Sequence, residues 1–147
     1  VRASAERNTN NTFLIMPHRK SLLAPQAGFT SSSSTVGIGY SAGAGGVETQ
    51  LTSKSTGVTL NTITGEITMN GAALASDTTV SFTLTNSTIA ATDVLILNHI
   101  ATGTAGAYLL NAQAAAGSAS INVRNITAAS LSEAIVIAFA VIKAVTN

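Results

Sequence analysis

The sequence predicts an all-β protein: an antiparallel β-sandwich, jelly-roll-like, preceded by an extended N-terminal arm. Three observations carry this reading. From residue 36 onward, short segments of Val, Ile, Thr, Phe and Leu recur at intervals of about ten residues, separated by Gly, Asn, Asp and Ser. The clearest of them, TTVSFTLT, sets Val80, Phe82 and Leu84 against Ser81, Thr83 and Thr85, the two-residue period of a half-buried strand. Helical patterning is scarce. NGAALA (70–75) and AASLSEA (128–134) could each form a turn, short of the roughly 12 residues that a helix needs without tertiary packing. A chain of 147 residues fits one such domain and can bury a core without metal or disulfide staples.

The arm comes first, over residues 1–35. FLIMP, HRK, SLLAP and SSSST succeed one another with neither a helical nor a strand period, and Pro17 and Pro25 interrupt any helix. Phe13, Leu14, Ile15, Met16, Leu22, Leu23 and Phe29 are too many apolar groups for a solvated tail, because disorder goes with low hydrophobicity. The arm is therefore expected to lie on something, either the edge of its own β body or another subunit.

The body, residues 36–147, is expected to hold strands at 36–40, 46–52, 57–61, 66–70, 78–85, 93–99, 107–112, 118–125 and 134–145. In the segment ending at Asn125, Ile121 and Val123 face inward and Asn122 and Arg124 outward. DVLILNHI and AIVIAFAVIKAV are apolar on both faces, which places them centrally in the sandwich or beneath a subunit or the arm. TNSTIAATDV and RNITAASLSE are faintly alike, without amounting to a repeat.

Only 9% of the residues are Asp, Glu, Lys or Arg, against roughly 25% in an ordinary soluble domain, so hydroxyls, amides and small apolar groups must cover the surface. Such a surface repels its copies weakly and favours self-association. Residues 1–35 carry Arg2, Arg7, Arg19 and Lys20 against Glu6, a balance of +3, whereas residues 36–147 balance to −2 from three basic and five acidic groups. The arm lacks the dense basic stripe with aromatic partners of a nucleic-acid binder; an acidic groove on a protein suits it better. There is no cysteine, which excludes disulfides, thiolate metal sites and a cysteine nucleophile. The longest apolar run, AIVIAFAVI, falls far short of the roughly 20 residues of a spanning helix and reads as a buried strand. VRASAERNTNNTF has no basic start plus apolar core, so no secretory signal is expected in it.

Chemistry-bearing residues are few and scattered. His18 and His99 lie in different regions, and neither a triad nor a zinc site can be assembled from one imidazole. Glu48, Glu66, Asp77, Asp93 and Glu133 show no paired spacing of the kind glycosidases need. GIGYSAGAGG (37–46) matches neither GxGxxG nor GxxxxGK[ST], and no helix pattern comes after it; its glycines read as turns and points of close approach. Sequons at Asn10, Asn86 and Asn125 are expected by chance in so Asn-, Ser- and Thr-rich a chain. Four Phe, two Tyr and no Trp argue against a carbohydrate-stacking platform. No enzymatic activity, metal or cofactor is expected.

SKSTGVTLN, GEITMN, TNSTIAATD and NITAASLSEA carry a resemblance over about residues 36–145: the body is similar to a domain of virion structural proteins of tailed bacteriophages and prophages. That resemblance implies a capsid decoration (cement) protein or head fibre, commonly a β-rich homotrimer at threefold or quasi-threefold positions of the capsid surface. Its partners are then the major capsid protein and copies of itself, with no nucleic acid and no membrane. Residues 1–35 fall outside the resemblance, as expected if a generic body is addressed by a specific arm. Phe13, Leu14, Ile15, Met16, Leu22 and Leu23 are the expected apolar anchors, and Arg19 and Lys20 the expected partners of acidic groups on the capsid. The competing expectation is a tail- or head-fibre domain that touches host-surface glycans through its loops. A glycan depolymerase, the third, requires carboxylates clustered in a groove.

Overall fold

A computed structural model describes residues 34–35 and 37–146. The arm residues Phe13, Leu14, Ile15, Met16, Arg19, Lys20, Leu22 and Leu23 lie outside the described residues. The chain divides into two compact units after Ile38, and the second of them, from Gly39 onward, is the β body.

Among the described residues eight strands run in order: β1 (Gly45–Thr49), β2 (Val58–Thr59), β3 (Thr64–Thr68), β4 (Thr79–Thr85), β5 (Val94–Ala101), β6 (Tyr108–Ala115), β7 (Ser118–Asn125) and β8 (Val136–Ile142). They build two four-stranded sheets, β1-β3-β8-β5 and β2-β4-β7-β6, packed face to face as a β-sandwich. Only β6 and β7 are consecutive and paired in one sheet. Their two-residue link needs the left-handed φ of 75° that Gly117 adopts. Every other connection crosses between the sheets. A strand that leaves its sheet and returns by way of the facing one comes back in the same direction, which is why β1 pairs β3, and β2 pairs β4, in parallel. The remaining four pairings are antiparallel, as expected, and the strand orders do not establish a jelly roll.

The core lies between the sheets. Phe82, Leu84, Ile121 and Val123 from one sheet meet Ile67, Ile137, Phe139 and Val141 from the other, all at 3% exposure or less. Each such aliphatic side chain contributes roughly 1.5–3 kcal/mol on burial. The alternation in β4 and β7 is the one their sequences predict. Close packing also depends on Gly65 in β3. A Cβ there would sit 2.7 Å from the Gly46 carbonyl oxygen and 2.7 Å from Leu60 Cδ2, so the Leu60 side chain fills space that any larger residue would occupy.

Four sequence expectations need correction. Residues 37–40 are not a strand; Gly37 and Gly39 have open space where a side chain would point, and no neighbouring strand pairs with them. β3 begins two residues earlier than expected, because Gly65, apolar only in the sense of lacking a side chain, faces the core. The segments 70–75 and 128–134 form no helical turn. They pair with each other instead, Leu74 and Leu131 exchanging both backbone hydrogen bonds at 2.9 and 3.0 Å. Finally, of the two runs apolar on both faces, AIVIAFAVIKAV supplies the inner strand β8, but DVLILNHI supplies β5, an edge strand, so for it the central placement fails and the alternative of cover by a subunit or the arm is untouched.

Candidate functional site

Polar groups gather at one end of the sandwich, where residues 102–107 carry the chain from β5 to β6. The loop is tight: Thr102, Gly103 and Gly106 have φ of 57°, 68° and 75°. For Thr102, β-branched, the left-handed conformation is strained by about 1–3 kcal/mol. Hydrogen bonds from its Oγ1 to the carbonyls of Ala134 (2.5 Å) and Ala101 (2.8 Å) hold it there. Gly103 has no alternative, since a Cβ would meet Ile135 Cγ2 at 2.6 Å and Glu133 Oε2 at 2.8 Å.

Glu133 closes this loop from the segment before β8. Its carboxylate accepts from Thr104 Oγ1 at 2.6 Å, Thr104 N at 3.0 Å and the Tyr108 hydroxyl at 2.7 Å. Those Thr104 donors, then Tyr108, hold its pKa below the ordinary carboxylate range against the opposing effect of burial. Burial, then the anionic partner, raises the Tyr108 phenol far above its usual value. His99 stands edge-on to the Tyr108 ring at 5.8 Å. Its Nε2 faces the carbonyls of Thr102 (2.6 Å) and Ala101 (3.1 Å), so Nε2 carries a hydrogen.

Beside these groups lies an open hollow of about 500 Å³, lined by Leu97, Asn98, His99, Thr102, Tyr108 and Leu110 among others. It offers one imidazole, one amide and the hydroxyls of Thr102 and Tyr108, which already donate to backbone carbonyls and to Glu133. Glu133 sits behind Tyr108 rather than in the lining. No acid and base converge on a common point in it.

Lys54, Asp93 and Lys143 also hold backbone, whereas Asp77 and Arg124 hold each other and Glu66 stands exposed in the middle of β3. Lys54, 4% exposed, donates from Nζ to the carbonyls of Asn70 (2.7 Å) and Glu133 (2.5 Å), and burial lowers its pKa against the raising effect of Glu133. Gln50 beside it donates to the carbonyls of Lys54 and Thr56 and accepts from Asn70 N. Asp93 accepts from Ala90 N at 2.7 Å and Lys143 Nζ at 2.6 Å, which together lower its pKa. Asp77 pairs with Arg124 at 2.6 Å. No buried side-chain nitrogen or oxygen among the described residues lacks a partner, and no three His, Asp or Glu side chains among them gather to hold a metal ion. No helix among them is long and apolar enough to cross a membrane.

Two of the sequons turn out to be structural. Asn86 and Asn125 are fully buried at the ends of β4 and β7. Each closes an Asx turn on the sequon threonine: Asn86 Oδ1 accepts from Thr88 N (2.9 Å) and Oγ1 (2.7 Å), Asn125 Oδ1 from Thr127 N (3.0 Å) and Oγ1 (2.8 Å). Each amide nitrogen donates inward, Asn86 to Thr62 O and Asn125 to the carbonyls of Leu74, Ala75 and Ala129. The nitrogen a glycan would occupy is thus enclosed. The faint likeness of TNSTIAATDV and RNITAASLSE is this shared turn.

The broad surfaces carry few charges and are unlike each other: Arg124, paired with Asp77, lies outside one sheet and Glu66 outside the other. Outside the β2-β4-β7-β6 sheet, Ser81 Oγ donates to Asn122 Oδ1 (2.5 Å) and Asn122 Nδ2 to Asn111 Oδ1 (2.6 Å), in a face of Thr, Ser, Asn and Gln. Outside the other sheet, Val94, Ile96 and Ile142 are 53%, 53% and 47% exposed, with Ala138 and Ala140 between them and β3. The excess of apolar side chains in DVLILNHI is visible in sequence. The Tyr108–Glu133 pair is not, since its members lie 25 residues apart and leave no local signature. Comparison with protein-family models, curated proteins and solved structures gave no match.

Proposed function

We propose that this chain is a non-enzymatic virion structural protein of a tailed bacteriophage, a homotrimeric capsid decoration protein that binds the major capsid protein and stabilises the lattice at the capsid surface. One observation carries the reading: apart from Glu48 and the exposed Glu66, the ionisable groups of the described body are committed to loops, strand ends and one another, and the two broad faces carry few charges, Glu66 on one and Arg124 with its partner Asp77 on the other. A surface of that kind acts through area and repetition rather than through a reacting centre. The resemblance of residues 36–145 to tailed-phage virion proteins supplies the setting. Burial of roughly 1,000 Å² or more per contact, repeated in many symmetric copies, lets individually weak joints reinforce a shell.

In this reading the arm selects the address. Phe13, Leu14, Ile15, Met16, Leu22 and Leu23 anchor it, and Arg19 and Lys20 pair with acidic groups of the capsid protein. The test is co-sedimentation of the full chain with expanded heads stripped of accessory proteins. Saturable binding by the wild type, lost in the Phe13→Ala/Ile15→Ala variant while its oligomer stays folded, is the expected result. Failure of the wild type to bind removes the protein from the head; dissolution of the oligomer in the variant makes the arm part of the body.

A further inference from the structure

We infer that the lateral edge formed by β5 and β6 is the surface on which a second copy of this chain docks. The inference rests on the proposed self-association and names the surface responsible for it.

Among the described residues β5 pairs only with β8 and β6 only with β7, so each leaves one side of its backbone free of strand partners. The inward-facing side chains there stay half-exposed: Leu95 and Leu97 on β5, Leu110, Ala112 and Ala114 on β6, although their counterparts in the central strands are buried. The core is therefore only partly covered along this seam. Apolar exposure continues around both strands, to Val94, Ile96 and Ile100 outside β5 and Leu109 outside β6, at 53%, 53%, 43% and 55%.

Edge strands in monomeric proteins are shortened, charged or interrupted by proline, because an unprotected one recruits other chains. The opposite edge of this sandwich obeys that rule: β2 has two residues, and β1 has five, including Glu48. The β5–β6 edge breaks it. Both strands have eight residues, with no Asp, Glu, Lys, Arg or Pro in VLILNHIA or YLLNAQAA. A single bulge between His99 and Ala101 is the only interruption.

Charge and size choose the occupant. An edge without ionic groups gives no purchase to a charged partner and fits a surface that is equally uncharged and apolar; around a threefold axis the β5 side of this edge on one copy meets the β6 side on the next. Eight residues span about 26 Å and the sheets lie about 10 Å apart, so the seam alone is well below the roughly 800 Å² per partner of a stable interface. The flanking Val94, Ile96, Ile100 and Leu109 must take part, which accounts for apolar side chains on both faces of an edge strand.

Sedimentation velocity on the full chain over a dilution series tests this. Ile96→Glu and Leu109→Glu place a charge at exposed positions on each strand. They are expected to raise the dissociation constant on the order of a hundredfold, with an unchanged circular dichroism spectrum. Val47→Glu on the opposite edge and Thr83→Glu on the hydroxyl-rich face are expected to leave it unaltered. A wild type that is monomeric at all concentrations overturns the inference, as do seam variants that associate like the wild type. Hydrogen exchange on the wild type checks the seam without mutation: the amides of β5 and β6 lose protection on dilution, and unchanged protection there, while the oligomer dissociates, overturns it equally. An oligomer with these properties that fails to bind phage heads refutes the decoration reading and leaves the seam standing.

Discussion

Asn125 shows how much one neutral side chain holds in a protein with few charges. Its amide nitrogen supplies three carbonyls, from the strand-flanking segment at Leu74 and Ala75 and from the loop at Ala129, while its oxygen closes the turn on Thr127. Asn86 makes the same turn but supplies only Thr62 O. Loss of a buried donor costs about 1–3 kcal/mol for each group left unsatisfied. Asn125→Ala should therefore destabilise by about 3 kcal/mol and Asn86→Ala by about half as much. Urea unfolding measures both, and equal losses would contradict the assignment. Lys54 adds a pH dependence. Its folded pKa lies below its unfolded value of about 10.4, so between the two the unfolded chain holds more protons and stability rises with pH. The raised pKa of Tyr108 acts in the opposite sense, but only above its unfolded value of about 10. As pH rises toward the unfolded value of about 10.4 the wild type should thus gain stability relative to Lys54→Met. Parallel slopes for the two would show that Lys54 keeps its ordinary pKa.

At the scale of elements, legibility ends where local properties end. The alternation in TTVSFTLT and SASINVRN fixes which face is buried, because a strand's side-chain period is a local property, and both strands lie in the structure as that alternation requires. Pairing is not local. Nothing within AIVIAFAVI or VLILNHIA tells which run is flanked on both sides, so β5 could not be placed at an edge from its composition. Nor do the parallel pairs β1–β3 and β2–β4 leave a mark in sequence, since they arise from connections that pass through the facing sheet. Gly65 is similar: its role is to admit Leu60 and the Gly46 carbonyl, groups brought near by the fold alone. At the β5–β6 end, His99 is visible in sequence as an isolated imidazole at the end of a strand. Thr104, Tyr108 and Glu133 become a unit only once the loop has brought them together.

For the whole molecule, the division of charge implies two kinds of contact with different responses to salt. Apart from Glu48 and Glu66, the described body keeps its ionic groups in loops, at strand ends and with a few partners, and β5 and β6 carry no Asp, Glu, Lys or Arg, so the proposed association through their edge would be driven by apolar burial and have little electrostatic energy to screen. The arm, with four basic residues against one acidic, is the opposite case, and the pairing proposed for it with acidic groups on a capsid would be weakened as the screening length falls from about 10 Å at 0.1 M salt toward about 3 Å at 1 M. Raising sodium chloride from about 0.05 to 0.5 M should change the oligomer's dissociation constant less than about twofold, while head binding falls about tenfold or more. Both are read from one titration, by sedimentation of the protein alone and with heads. An oligomer that dissolves in salt would mean that charges hold the copies together and that the apolar edge is not their interface. Head binding indifferent to salt would leave Arg19 and Lys20 without a role and give the attachment wholly to the apolar anchors between Phe13 and Leu23.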